Sequence, residues 1–171
     1  MCSSDLELSF AIAPTTAPER LIGFATDSKS MTSRQLDGTF PPYKHLIPTE
    51  SASVAVIEVA TLLEAVRRVA LVTEKNTPLR FKCGATLQLE AGVKDEAQAN
   101  EELAINFKGD PIEIAFNPNY LIDGLSALGT TYVHMGFSAS NRPAVLAGKN
   151  SLDGEIEGSY RYLLMPMQFA S

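Results

Sequence analysis

Two histidines, His45 and His134, and two cysteines, Cys2 and Cys83, are the side chains of this sequence best equipped to move protons, hold a metal or attack an electrophile. Their spacing supports none of these. The cysteines form no Cys-x-x-Cys pair and stand at no ligand spacing to a histidine. Two reduced thiols, with Cys83 buried, are the plain reading. There is no Gly-x-Ser-x-Gly elbow, no phosphate-cradling glycine loop and no His-Glu-x-x-His. The stretches DGT (37–39) and NFKGDP (106–111) are turn chemistry rather than acid–base pairs. Glu113, between Ile112 and Ile114, reads as the polar side of a strand. His134 alternates with Val133 and Met135 and is expected to face solvent on an outer sheet. Binding chemistry is what remains, and it gathers at the end of the chain. YRYLLMPMQF spans residues 160–169. Chain ends are usually polar and frayed. A leucine, methionine and proline run there predicts a segment lying in, or beside, something apolar.

The elements that would position such a segment follow from composition and pattern. The sequence has 171 residues, 45% of them apolar, enough for one core plus a piece of another domain. No run of about 18 apolar residues exists to span a membrane. MCSSDLELSF has neither a basic n-region nor an apolar h-region, so a cytosolic protein is the default. The formal net charge of −6 argues against a chain coated by nucleic acid. It leaves room for basic residues gathered on one inner surface.

Three strand-like stretches come first, at 5–12, 20–26 and 30–36. Three strands without a helix make a poor free-standing domain. DGTFPPYKHLIPTE (37–50) has three prolines and no periodicity, and reads as a linker or crossover. SVAVIE (53–58) then opens a second unit. Residues 58–72 are helical: Val59, Leu62, Leu63, Val66, Val69 and Ala70 share one stripe, and Glu64 and Arg68 form an i,i+4 pair. Strands are predicted at 79–83, 86–91, 102–107 and 112–116, with Lys108-Gly109-Asp110 as a hairpin turn between the last two. A second helix spans 117–129, with Asn117 as N-cap, Pro118 at its first position and Gly129 ending it. Strands at 132–138, 143–148 and 160–165 close the chain. The first unit reads as a cut copy of the second, repeated in element order rather than in residues.

Three stretches in this order resemble one family. LDGTFPPYKHLIPTE (36–50) looks like the crossover between the second and third domains of the bacterial DNA polymerase III beta subunit, the replication sliding clamp. IAFNPNYLIDGLSAL (114–128) looks like its Phe-Asn-x-x-Tyr-Leu-x-Asp-x-Leu segment. YLLMPMQF (162–169) looks like its carboxyl end. The resemblance runs from about Asp5 to Phe169, and its form is most similar to actinobacterial versions. It implies an α+β fold, the DNA clamp domain, with two helices packed on antiparallel sheets and preceded by a partial copy of itself. Residues 1–36 would be the closing strands of the second domain, 37–50 the crossover, and 51–171 the third domain. It implies no enzyme and no cofactor, but a non-catalytic processivity factor of the polymerase III holoenzyme. The family closes as a homodimeric ring around duplex DNA and tethers the polymerase catalytic subunit, the clamp loader and other proteins by linear peptide motifs. The location implied is the cytoplasm, at the nucleoid during replication.

Residue by residue, the resemblance assigns a peptide pocket to Leu163, Leu164, Met165, Pro166 and Met167 of the tail. Asn117 and Tyr120 join from the second helix, Asn141 and Pro143 from the strand before the tail, and Pro41, His45 and Leu46 from the crossover. A strand of this composition is otherwise plain core. Arg34, Arg67, Arg68 and Lys75 would face DNA, where ordinary solvated helix charges are the alternative. The second helix adds only Asp123. Leu71, Val72, Glu101 and Glu102 would form the ring contact. Gln168 stands where the family has arginine, and His45 where many relatives have arginine or glutamine. The pocket's other wall, a Thr-x-Gly-His/Arg-x-Leu type segment, is not in this sequence. A half-built pocket, and a monomeric or weakly associated polypeptide, are therefore expected. The alternative function is a free-standing peptide-binding module that never encircles DNA.

Overall fold

The computed structural model describes residues 7–14, 20–36, 38–40, 42–48, 50–73, 77–92, 97–158 and 160–168. The chain divides after Pro42 into two compact units. The first is one antiparallel sheet of β1 (Ser9–Ile12), β2 (Leu21–Ala25) and β3 (Ser30–Arg34), in that order. Among the described residues of this unit there is no helix.

The second unit opens on an exposed 3-10 turn, Lys44–Leu46. Next come β4 (Ser53–Glu58), α1 (Val59–Ala70), β5 (Leu79–Cys83), β6 (Thr86–Gly92), β7 (Gln98–Ala104), β8 (Asn106–Lys108) and β9 (Ile112–Phe116). The chain ends with α2 (Pro118–Ser126), β10 (Tyr132–Phe137), β11 (Ala144–Lys149) and β12 (Tyr162–Leu164). A five-stranded sheet has the order β12-β11-β10-β4-β8, and a four-stranded sheet the order β7-β6-β5-β9. The pairings are antiparallel. The two helices pack on each other. α1 also lies against β4, β6 and β7, and α2 against β12.

Both helices form where local chemistry directs them. The 3.6-residue repeat puts Leu62, Val66 and Val69 on one buried stripe of α1. Asn117 caps α2: its side-chain oxygen accepts the Asn119 amide at 2.9 Å. Pro118 follows at the first helical position, where its missing N–H costs nothing. Gly129, at φ +65°, turns the chain out after the helix. The core between helices and sheets holds Leu62, Leu121, Leu125, Phe81, Phe116 and Met135, all fully buried. Phe81 and Phe116 meet edge to face at 5.4 Å. Burial also pushes the Cys83 thiol up to about 12, so this cysteine stays protonated and unreactive at neutral pH.

Three expectations about the strands need correction. Residues 102–107 are not one strand, and Lys108-Gly109-Asp110 is not a hairpin. β7 pairs with β6, β8 with β4, and β9 with β5. The turn therefore carries the chain from one sheet to the other. Its residues are still turn residues: Gly109 has φ +101°, and a Cβ there would lie 2.3 Å from the Ala52 carbonyl oxygen. The Ser53 hydroxyl donates to the Asp110 carbonyl at 2.6 Å, which ties the crossing to the start of β4. His134 is also less open than expected. It is half-buried, in a depression it shares with Lys149, Leu152 and Ile156. The loop after β11 folds back there, with Lys149 Nζ donating to the Leu152 carbonyl at 2.7 Å. Desolvation, helped by Lys149 and Arg161, lowers the pKa of His134.

Candidate peptide-binding surface at the carboxyl tail

β12 is an edge strand held on one side by β11, with Leu163 opposite Val145 and Leu164 opposite Ala144. Alternation sends its side chains two ways. Leu164 points inward and is 2% exposed, so it seals the core and cannot touch a ligand, contrary to its assignment to the pocket. Leu163 is half-buried. Beyond β12 the backbone crosses to the other sheet, where the Met167 amide donates to the Ala115 carbonyl of β9 at 2.8 Å. The tail is thus pinned at two points. Between them Met165 is 60% exposed, flanked by half-buried Pro166 and Met167.

The start of α2 is fastened beside this segment. The Tyr162 hydroxyl donates to the Tyr120 carbonyl at 3.0 Å. Burial, with Asp123 nearby, raises the pKa of this phenol, so it remains a donor at neutral pH. The Tyr162 ring lies on Gly124: a Cβ there would stand 2.6 Å from two ring carbons. A glycine in mid-helix is costly, and here it admits the ring. Tyr120 itself is left 60% exposed. Half-buried Pro143 immediately precedes Ala144, the partner of Leu164, and so stands near the tail. Asn117 uses its side-chain oxygen as the helix cap and fixes this corner.

The structure therefore brings together Leu163, Met165, Pro166, Met167, Tyr120, Asn117 and Pro143. Asn141 is exposed in the turn before β11. His45 and Leu46 are exposed in the 3-10 turn, and among the described residues no hydrogen bond joins them to the tail. Pro41 lies outside the described residues. Sequence reasoning passed over Tyr162, Gly124 and Ala115, which hold the surface in shape. The signal was present in two tyrosines two apart and a glycine in mid-helix. Those tyrosines, Tyr160 and Tyr162, stack at 6.5 Å.

The charged residues fall out differently. Arg68 grips Glu101 through both carboxylate oxygens, Nε–Oε1 at 2.6 Å and Nη2–Oε2 at 2.7 Å. Glu64, its i,i+4 neighbour, is farther off at 3.8 Å. The pairing lowers the Glu101 pKa and raises that of Arg68. Neither residue is a free charge, which weakens both the DNA-facing assignment of Arg68 and the interface assignment of Glu101. Arg67 and Glu102 remain exposed. Arg34 is exposed in the first unit, and Lys75 lies outside the described residues. Leu71, just past α1, is 85% exposed, while Val72 packs on the core.

Among the described residues, no helix is long and apolar enough to cross a membrane. The family profile described as DNA polymerase III beta subunit, C-terminal domain, matches residues 44–168. The chain is 46% identical over 166 residues to the beta sliding clamp of Streptomyces coelicolor, covering 96% of this chain and 44% of that protein. It is 42% identical over 151 residues to the beta sliding clamp homolog GriR of Streptomyces muensis, covering 87% and 40%. Among solved structures, the griselimycin-bound DnaN sliding clamp of Pseudomonas aeruginosa superposes with a TM-score of 0.73 at 28% identity, covering 87% of this chain and 39% of that one. The beta subunit of Thermotoga maritima DNA polymerase III gives 0.74 at 26%, covering 91% and 43%. The chain thus spans less than half the length of these relatives. Two helices on antiparallel sheets, and a match through most of the second unit, place the chain in the DNA polymerase III beta subunit family, the beta sliding clamps.

Proposed function

We propose that this chain carries the peptide-receptor surface of a replication sliding clamp. Residues 51–171 are its third domain, 37–50 the crossover, and 1–36 the closing strands of the second. The work is non-catalytic: to hold the polymerase catalytic subunit, the clamp loader and other proteins by short linear motifs. The observation that carries this reading is a pair of 60% exposed side chains, Met165 and Tyr120, on backbone pinned from both sides. A partner peptide anchored by leucine and phenylalanine needs such apolar receptors. Methionine adapts to several shapes, and Tyr120 offers a ring and a hydroxyl together. Arg67, with Arg34 and Lys75, would touch phosphates loosely and without reading bases. Leu71, Val72 and Glu102 would meet a domain of a neighbouring subunit in the closed ring.

A second reading, a module that docks the same motifs but never encloses DNA, is favoured by the Arg68–Glu101 pair, which thins the basic surface of α1. Duplex binding separates the two. A clamp surface gives weak, strongly salt-dependent association with DNA that Arg67→Ala reduces, and a peptide module gives none.

The peptide claim is tested by fluorescence anisotropy with a labelled peptide ending in a leucine–phenylalanine motif. Met165→Ala and Tyr120→Ala are each expected to weaken binding by about tenfold, as removal of a central anchor does. Unchanged affinity in both variants would refute the site.

A further inference from the structure

We propose that the receptor surface is peroxide-sensitive: oxidation of the Met165 thioether to its sulfoxide releases a docked peptide, and reduction restores the site. This regulation rests on the receptor reading of the tail and needs no more access than that reading requires, since a thioether open to a peptide side chain is open to a peroxide. Two of the chain's five methionines, Met165 and Met167, stand on this surface. They differ in access. Met165 is 60% exposed, whereas Met167 is half-buried and its amide is bonded to the Ala115 carbonyl. Met135 is sealed in the core. The one cysteine among the described residues, Cys83, is buried and its thiol pushed up to about 12, so little thiolate is there to compete.

The reaction balances without a further reactant. The sulfur lone pair attacks one oxygen of the peroxide, a sulfur–oxygen bond forms, and the O–O bond breaks. Sulfur is oxidised and hydrogen peroxide is reduced to water. Methionine sulfoxide reductases, one for each epimer, reverse the step with a dithiol, which leaves as a disulfide with water. The product changes what the surface can accept. A flexible apolar side chain becomes a polar one with a strong acceptor oxygen. In the free chain, water satisfies that oxygen. A leucine–phenylalanine motif laid over it strips the water and offers apolar side chains in return, and an acceptor buried without a donor is costly. The backbone on both sides of Met165 is held, so the tail does not turn the sulfoxide away. β12 sets Leu164 opposite Ala144 on one side, and the Met167–Ala115 bond of 2.8 Å fixes the other.

Graded doses of hydrogen peroxide on the whole 171-residue chain test it. The oxidant is removed, and mass spectrometry reads the oxidised fraction of each methionine. Anisotropy then gives the affinity for the labelled leucine–phenylalanine peptide. Met165 is expected to oxidise ahead of Met167 and Met135. The dissociation constant is expected to rise at least ~10-fold in step with the Met165 sulfoxide, as loss of a central anchor does. Reductase treatment is expected to restore it. Met31→Leu, in the first unit, is expected to lose affinity on oxidation as the unaltered chain does. Met165→Leu, compared with itself before and after treatment, is expected to show no peroxide response. Full conversion of Met165 with an unchanged dissociation constant overturns the proposal and leaves the receptor reading standing. So does a loss of affinity that tracks another sulfur, or one that persists undiminished in Met165→Leu. A peptide that never binds the untreated chain refutes the receptor reading itself, and this regulation with it.

Discussion

Phe116→Ala is expected to lower the stability of the second unit by about 3–5 kcal/mol. The residue is fully buried and makes an edge-to-face contact with Phe81 at 5.4 Å. Truncation removes the transfer energy of a phenyl ring and leaves a cavity at the centre of the core, facing Phe81. Total stabilities of domains this size are about 5–15 kcal/mol, so the variant loses a large share. Phe116 also sits between two functional anchors. Ala115 before it accepts the Met167 amide, and Asn117 after it caps α2. The same change should therefore loosen the tail and weaken peptide binding. Urea unfolding measures the first effect, read as a lower midpoint with an unchanged slope. A loss below about 1 kcal/mol would mean that the core closes around the gap, and that Phe116 is not its keystone.

Gly124→Val is expected to cost less stability and more function. A Cβ at this position falls 2.6 Å from two carbons of the Tyr162 ring, so the ring must leave. Overpacking of this kind costs about 1–3 kcal/mol. The ring takes its hydroxyl with it, and the bond to the Tyr120 carbonyl is lost. The first turn of α2 then no longer holds its place beside the tail. Peptide affinity is expected to fall by about tenfold or more, since an anchor site 1 Å out of place loses its preorganisation. Tyr162→Phe isolates the hydrogen bond: it keeps the ring on Gly124 and should cost about 1 kcal/mol with a smaller affinity change. Equal peptide affinity in Gly124→Val and the unaltered chain would show that Tyr162 does not organise the surface.

Much of the fold was legible because its signals are local. The stripe of Leu62, Val66 and Val69 and the Asn117-Pro118 start are written within a few residues of where they act. Strand positions in the second unit follow from alternation. Pairing does not, because either sheet would bury the same faces of the stretch from Leu103 to Phe107. The choice of β4 as partner of β8 joins Val54 to Lys108 across the sequence, and no local pattern records it. The Arg68 ion pair shows the same limit. Glu64 was visible one helical turn away, yet Glu101 on β7 is the tighter partner, at 2.6 Å against 3.8 Å. At the tail, a greasy run predicted an apolar setting, but only the family resemblance suggested a receptor. Period two already required Leu163 and Leu164 to face opposite ways, so one of them had to be interior. Which one depends on the register with β11.

The three strands expected in the first unit are all found. Of the basic residues that the resemblance singled out on α1, Arg68 is held by Glu101.

The central claim is that the carboxyl end is an open receptor surface rather than interior filling. Methionine-methyl NMR reads it directly, because the methionines report from different places. Met165 is 60% exposed on the tail, Met167 is half-buried beside it, Met135 is sealed in the core, and Met31 lies on the first unit. Adding a leucine–phenylalanine motif peptide should shift the Met165 and Met167 methyls saturably and leave those of Met135 and Met31 in place. Tail methyls that stay fixed while the peptide binds, or that move no more than Met31, would contradict the account.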